Sequence, residues 1–201
     1  MFWWNVFVQA LGFIGIFFMT ISVQFGTHKK VMIFKTLGAL MFATQYLFLK
    51  AYTGMILDFI GIGRNIIFSN NVIKKKSNKG WIIFFTIFSI LAALLTTYFT
   101  WDSLVQKMQT WTESQTLMVV LTVVLSLFSI TAKSITTIAY GLSDLKKLRY
   151  LNFFSSLLWL FYNFTYFSIF GFINEILVMS SIIIAVIRFR NMEKKEKLHV
   201  E

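Results

Sequence analysis

Lys74-Lys75-Lys76-Ser77-Asn78-Lys79-Gly80, followed by the run Trp81-Ile82-Ile83-Phe84-Phe85-Thr86-Ile87-Phe88-Ser89-Ile90-Leu91-Ala92-Ala93-Leu94-Leu95-Thr96-Thr97-Tyr98-Phe99-Thr100-Trp101, decides the fold of this chain. The run from Trp81 to Trp101 holds no ionisable acid or base other than a tyrosine, and about 20 mainly apolar residues are what a helix needs to cross roughly 30 Å of hydrocarbon. Four lysines stand at its start, and a tryptophan marks each end. Lysines are held on the cytoplasmic side of a membrane, and indole rings prefer the interfaces. The segment therefore reads as a transmembrane helix entering from the cytoplasm at Trp81 and leaving at Trp101.

The rest of the chain follows the same grammar. Of 201 residues, 57% are hydrophobic and 13% charged, with a mean hydropathy of +0.72. A soluble domain carries charge on about a quarter of its residues, so lipid is expected to cover this surface. Seven stretches qualify as spans: 3–25, 31–50, 52–73, 81–101, 115–140, 149–168 and 170–189. The opening run, which lacks a basic start, is expected to be a retained first span rather than a cleaved signal. Lys29 and Lys30, then Lys74 to Lys79, then Lys146, Lys147 and Arg149 occupy one set of loops, whereas the other set holds only Lys50 and Lys107. The alternation predicts seven spans, with the N-terminus outside and the C-terminus cytoplasmic. The net charge of +11 belongs to this pattern, and no soluble module is left to bind nucleic acid. The absence of cysteine excludes disulfides and thiolate chemistry.

An offset of 117 residues places Lys29-Lys30 on Lys146-Lys147, Thr20-Ile21 on Thr137-Ile138, Gly54 on Gly171 and Asp58 on Glu175. Identity elsewhere is low, but spans 1–3 and 5–7 share lengths, loop charges and the place of one acidic residue. The expected fold is all-α, seven helices arranged 3+1+3 in a single membrane domain. Residues 1–73 form one three-helix repeat, 81–101 a linker helix and 115–190 a second repeat, with 191–201 as a cytoplasmic tail. Parallel repeats about an axis along the membrane normal are one known transporter plan.

Lys50-Ala51-Tyr52-Thr53-Gly54, Asp58 and Arg64-Asn65, with Leu11-Gly12 and Ser22-Val23-Gln24, resemble the YgjV-like family of bacterial inner-membrane proteins. The likeness covers the first three spans best. It implies a multi-pass protein of the bacterial inner membrane and a shape, rather than a substrate. More distantly, 3+1+3 is similar to the SWEET and PQ-loop transporters. Those place a Pro-Gln or a kinking proline in the first span of each unit; this chain has no proline, with Val23-Gln24 and Tyr140-Gly141 at those positions.

Charges within hydrocarbon cost about 2.5–3.5 kcal/mol each on insertion scales and mark function by default. Asp58 and Glu175 stand about one turn inside the outer ends of their spans, where an entrance feature and snorkelling to the headgroups are equal readings. Arg64 follows Asp58 by six residues, or ~240° around the helix, so an intrahelical ion pair is not expected; near the midplane it needs a carbonyl cluster, water, an anion or an escape to the cytoplasm. Asn65 shares the Asp58 face, the best candidate for a pocket wall. Asn152, Ser155, Ser156, Trp159, Asn163 and Tyr166 form one helical stripe. Small and polar residues in a stripe serve helix packing, or else Trp159, Asn163 and Tyr46 surround a cavity for a small polar solute. Lys133 is expected to snorkel toward Lys146.

The substrate-binding candidates are thus Tyr46, Asp58, Arg64, Asn65, Trp159, Asn163 and Glu175. No catalytic residue, metal site or cofactor is expected: the two histidines, His28 and His199, fall in cytoplasmic segments and no phosphate-binding glycine loop occurs. The expected function is a small-solute permease rather than an enzyme, with the lipid bilayer as partner and room for a homo-oligomer. The alternative is a non-transporting scaffold or lipid-binding component.

Overall fold

The computed structural model describes residues 2–48, 52–99, 101–165 and 169–198. Among the described residues the chain is entirely helical, with eight α-helices and one short 3-10 turn. The helices are α1 (Phe2–Ser22), α2 (His28–Phe48), α3 (Tyr52–Ile73), α4 (Lys79–Phe99), α5 (Trp101–Lys107), α6 (Gln115–Gly141), α7 (Leu145–Thr165) and α8 (Ile169–Leu198). Four stretches are long and apolar enough to cross a membrane: His28–Phe48, Lys79–Phe99, Gln115–Gly141 and Gly171–Met192. Val6–Ser22 is a shorter apolar helix. Among the described residues, each of the seven stretches read from the sequence is centred on one helix, the first running past the end of α1 at Ser22. The calls on Lys50, Tyr166 and His199 lie outside the described residues.

Two boundaries differ from the sequence reading. Helix α7 starts four residues before the expected 149, because Asp144 caps it: its carboxylate accepts hydrogen bonds from the backbone N–H of Lys146 at 2.8 Å and of Lys147 at 3.3 Å. An N-cap oxygen satisfies amides that otherwise lack an intrahelical partner, so the charged turn 146–149 is helix rather than loop. The link 102–114 is not simply a loop either. It begins in α5 and the 3-10 turn Met108–Thr110, and it folds Met108, fully buried, onto Met118 and Leu125. Helix α3 stops just before Lys75 takes a left-handed φ of 54°, with the Lys76 N–H bonded back to the Asn71 carbonyl at 2.8 Å. This left-handed stop is a common way to end a helix.

Helix contacts run in order α1–α2–α3, then α3–α6, α6–α7–α8, and return from α8 to α1, with α4 set outside against α6. The principal core cluster takes Val31 and Met32 from α2, Phe68 from α3, Phe85 from α4, Ala139 and Tyr140 from α6 and Leu148 from α7. A second joins Val23 at the end of α1 to Val178 and Ile182 of α8. Outward faces are bare hydrocarbon: on α4, Ile83, Ile87, Leu91 and Leu95 are each more than half exposed. Spacing by four residues puts them on one face, which suits acyl chains and not water.

Helices α1 and α2 approach each other closely at their glycines. A Cβ on Gly38 would lie 3.1 Å from the Gly15 carbonyl oxygen and 2.9 Å from Met19 Cγ. Small residues allow such approach where no hydrophobic effect drives helices together. Gly38→Leu is therefore expected to lower stability by about 1–3 kcal/mol, seen as a fall in the thermal unfolding midpoint of the purified protein; an unchanged midpoint would mean that α1 and α2 do not pack here.

Candidate functional site

Arg64 is the thirteenth residue of the 22-residue α3, far from either end, and only 5% exposed. A guanidinium has five N–H donors and no acceptor, and burying it without partners is costly. Its partners come from two helices. Nη1 donates to the Thr137 hydroxyl of α6 at 2.9 Å, and Nε and Nη2 donate to Asn65 Oδ1 at 3.3 Å each. The guanidinium carbon lies 4.9 Å from the centre of the Tyr140 ring, a cation–π contact. All the hydrogen-bonding partners are neutral. The escape routes weighed from sequence named carbonyls, water and anions, but not this hydroxyl and ring.

Tyr140 passes the network on. Its hydroxyl donates to Asn152 Oδ1 of α7 at 3.3 Å, and the Lys35 ammonium of α2 lies 5.7 Å from its ring. Lys35 and Asn152, which occupy the same place under the 117-residue offset, are both buried. Among the described residues the Asn152 amide nitrogen has no hydrogen-bond partner. Glu175 of α8 takes a hydrogen bond from Asn174 Nδ2 at 3.2 Å, interacts with Ser156 of α7, and is within electrostatic reach of Lys35. Near the other end of α3, Asp58 is within reach of Lys133, Arg64 and Tyr46. The geometry thus differs from the sequence expectation for Lys133: its charge interacts with Asp58 and Arg64, because α6 packs its flank against α3.

Of the seven candidates, Arg64 and Asn65 touch, and Asp58, Tyr46 and Glu175 lie around them through Lys133 and Lys35. Trp159 and Asn163 stand apart. Both are half-buried, Trp159 packs edge-on against Tyr162, and among the described residues no hydrogen bond ties either to the Arg64 cluster. The stripe on α7 divides: Ser155 donates to the Ala132 carbonyl at 2.8 Å and shares a 2.6 Å contact with the Thr136 hydroxyl, which is packing. A cavity of about 260 Å³ lies in a groove between α2 and α3; it meets the cluster at Asn65 and is lined besides by Lys29, Met32, Thr36, Ser69 and Asn70.

Sequence reasoning missed one feature at the lysine-rich end. Helix α1 ends in carbonyls that α7 satisfies: Arg149 Nε donates to the Val23 oxygen at 3.1 Å and Nη2 to the Phe25 oxygen at 2.9 Å. Helix α6 ends in carbonyls satisfied from the other half of the chain. His28 Nε2 lies 3.0 Å from the Tyr140 oxygen, and Asn78 Nδ2 donates to the Gly141 oxygen at 3.0 Å. Val23 and Tyr140 are equivalent under the 117-residue offset, so each half caps the other. Arg149 had counted only as a loop charge and His28 as a bystander. The signal available was that the last carbonyls of a helix need donors.

A helical bundle with apolar faces turned outward, and with Lys35 and Arg64 buried within it while the lysine runs stay exposed at the helix ends, defines an integral membrane protein. The sequence profile of the Imp-YgjV family, described as bacterial inner membrane protein, matches residues 6–193. The chain belongs to this family, and the match runs well past the first three helices that carried the resemblance. Comparison with curated proteins and with solved structures finds no match.

The Arg64–Thr137 bond supplies the test of the site's construction. A double-mutant cycle with Arg64→Met and Thr137→Val is expected to give a coupling of about 1–2 kcal/mol in unfolding free energy. Additive effects would show that α3 and α6 do not share this bond.

Proposed function

We propose that the protein is a small-solute permease of the inner membrane. In this reading its helices cross the bilayer seven times in a 3+1+3 arrangement, α1–α3 and α6–α8 forming the repeats and α4 the link. The N-terminus lies outside and the C-terminus in the cytoplasm. The solute site sits near the midplane between the two repeats, at Arg64, Asn65, Tyr140 and Asn152. Asp58, Tyr46 and Glu175 line its outer approach, and Trp159 and Asn163 the wall above it. The chemistry is binding and passage alone, with no catalytic step and no cofactor.

One observation carries the proposal: a connected polar cluster, drawn from both halves, lies inside a bundle whose surroundings are apolar. Ionisable groups at such depth are expensive and mark solute or ion pathways by default. Packing alone would be served by small residues and does not call for an arginine. The reciprocal caps at the lysine-rich end support the reading further, since they join the two halves at one end by hydrogen bonds that can be broken and remade. Rocking of one repeat against the other about a central site needs such a closure.

A scaffold or lipid-binding role is favoured by a different observation, the groove between α2 and α3. Its polar lining with Lys29 at one end and its apolar lining from Met32, Ile33, Ile66 and Ile73 suit a phospholipid.

The two readings separate in proteoliposomes loaded with a sugar, an amino acid, a nucleoside and a carboxylate. A permease releases one of these classes faster than empty liposomes do. Asp58→Ala and Glu175→Ala are expected to reduce that release by tenfold or more (about 1.4 kcal/mol in the barrier), with normal amounts of protein in the membrane. Liposomes tight to all four solutes would favour the lipid-binding role.

A further inference from the structure

The charges carried within the predicted spans do not balance. Away from the helix ends, the predicted spans hold three cations, Lys35, Arg64 and Lys133, and two acids, Asp58 and Glu175. Glu175 lies within electrostatic reach of Lys35, and Asp58 within reach of Lys133. Asp58 also acts on Arg64, and one carboxylate cannot neutralise both Arg64 and Lys133. Among the described residues every hydrogen bond of Arg64 goes to a neutral oxygen, and arginine does not shed its proton in proteins. The cluster around the middle of α3 therefore carries an excess positive charge.

Around it are donors with nothing to donate to. The three bonds of Arg64 leave N–H groups of the guanidinium unused. Among the described residues the Asn152 amide nitrogen, on a residue 4% exposed, has no partner. Its oxygen is engaged by the Tyr140 hydroxyl, and the guanidinium of Arg64 lies against that same ring. The spare donors thus lie on either side of Tyr140, one set on α3 and the other on α7. Excess positive charge beside unpaired donors, in a site shielded from water, is the complement of an anion with several acceptor oxygens. The planar fork of arginine matches carboxylate and phosphate.

We propose that the solute is a small oxyanion, a carboxylate or a phosphate, held by Arg64 and the amide of Asn152 across the Tyr140 ring. The inference rests on the permease reading above and narrows it to a substrate class. A bound monoanion completes the charge balance of the cluster and satisfies both sets of donors in one step. Neutral sugars would leave the charge uncompensated, and organic cations would add to it.

The test is thermal unfolding of the purified protein in a neutral detergent with acetate, lactate, inorganic phosphate, glucose or choline, at ionic strength matched with sodium chloride. A ligand that binds the folded state raises its apparent stability. Saturable stabilisation by acetate, lactate or phosphate above the chloride control is expected, and which of the three acts strongest separates carboxylate from phosphate. Asn152→Asp keeps the acceptor for Tyr140 while replacing the spare donor by a negative charge. It is expected to leave the ligand-free protein at least as stable as the wild type and to weaken oxyanion binding by about tenfold or more. Arg64→Lys, which keeps the charge and loses the fork, is expected to weaken it similarly. Saturable stabilisation by glucose or choline instead would overturn the oxyanion and leave the permease standing. Stabilisation by chloride equal to that by the oxyanions, or unchanged oxyanion binding in both variants, would also overturn it. No stabilisation by any solute, together with liposomes tight to all of them, would remove both readings.

Discussion

In hydrocarbon a polar group has no water to fall back on, and that constraint shapes most of what is distinctive in this bundle. Each unsatisfied group costs several kcal/mol at depth, so the interior must provide every partner itself. Helices answer for their own backbones except at their ends. Where α1 and α6 end, the missing donors arrive from the opposite half of the sequence: Arg149 for Val23 and Phe25, His28 for Tyr140, Asn78 for Gly141. Residues 63 to 126 positions apart are thereby tied together at one end of the molecule. The need to finish two helices is also what joins the two halves.

The same constraint explains why the central cluster is connected rather than scattered. Arg64 requires acceptors, and α6 offers Thr137 and the face of Tyr140; Tyr140 then requires an acceptor for its own proton, and α7 offers Asn152. Each side chain solves the problem set by the one before it. The chain of requirements stops at the Asn152 amide, where a donor is left without a partner. For a molecule whose sole task was to be stable, an apolar side chain of similar volume at Arg64 would be simpler and no weaker. The retained charge is better understood as part of the proposed passage of a solute.

Much of this was legible in the sequence because hydropathy and lysine placement are one-dimensional signals. The run 81–101 and its basic start identify α4 without any knowledge of its neighbours, and the same holds for six further helices. Position within a helix was legible too, which is how Asp58, Arg64, Asn65 and Glu175 could be singled out. Partnership was not. Which neighbour meets Arg64 depends on which face of α6 turns toward α3, and apolar residues surround α6 on so many sides that its pattern does not say. Lys133 shows the cost: judged from its own helix it snorkels, whereas in the packed bundle its charge acts on Asp58 and Arg64. The start of α7 was hidden for another reason, since counting apolar residues overlooks the carboxylate of Asp144 that begins the helix among charges.

The central claim requires that the loops carrying the lysines lie on one side of the bilayer and the 3-10 turn on the other, with a single crossing by α4 and a single crossing by α6 between them. The chain has no cysteine, so single substitutions report their side cleanly. Ser77→Cys and Ser143→Cys lie in the two exposed lysine-rich loops, and Ser114→Cys is exposed at the start of α6. Labelling intact cells with a membrane-impermeant maleimide should mark Ser114→Cys at once, and the other two only after the membrane is permeabilised. Finding Ser77→Cys and Ser143→Cys on opposite sides would contradict the paired repeats, and with them the shared central site.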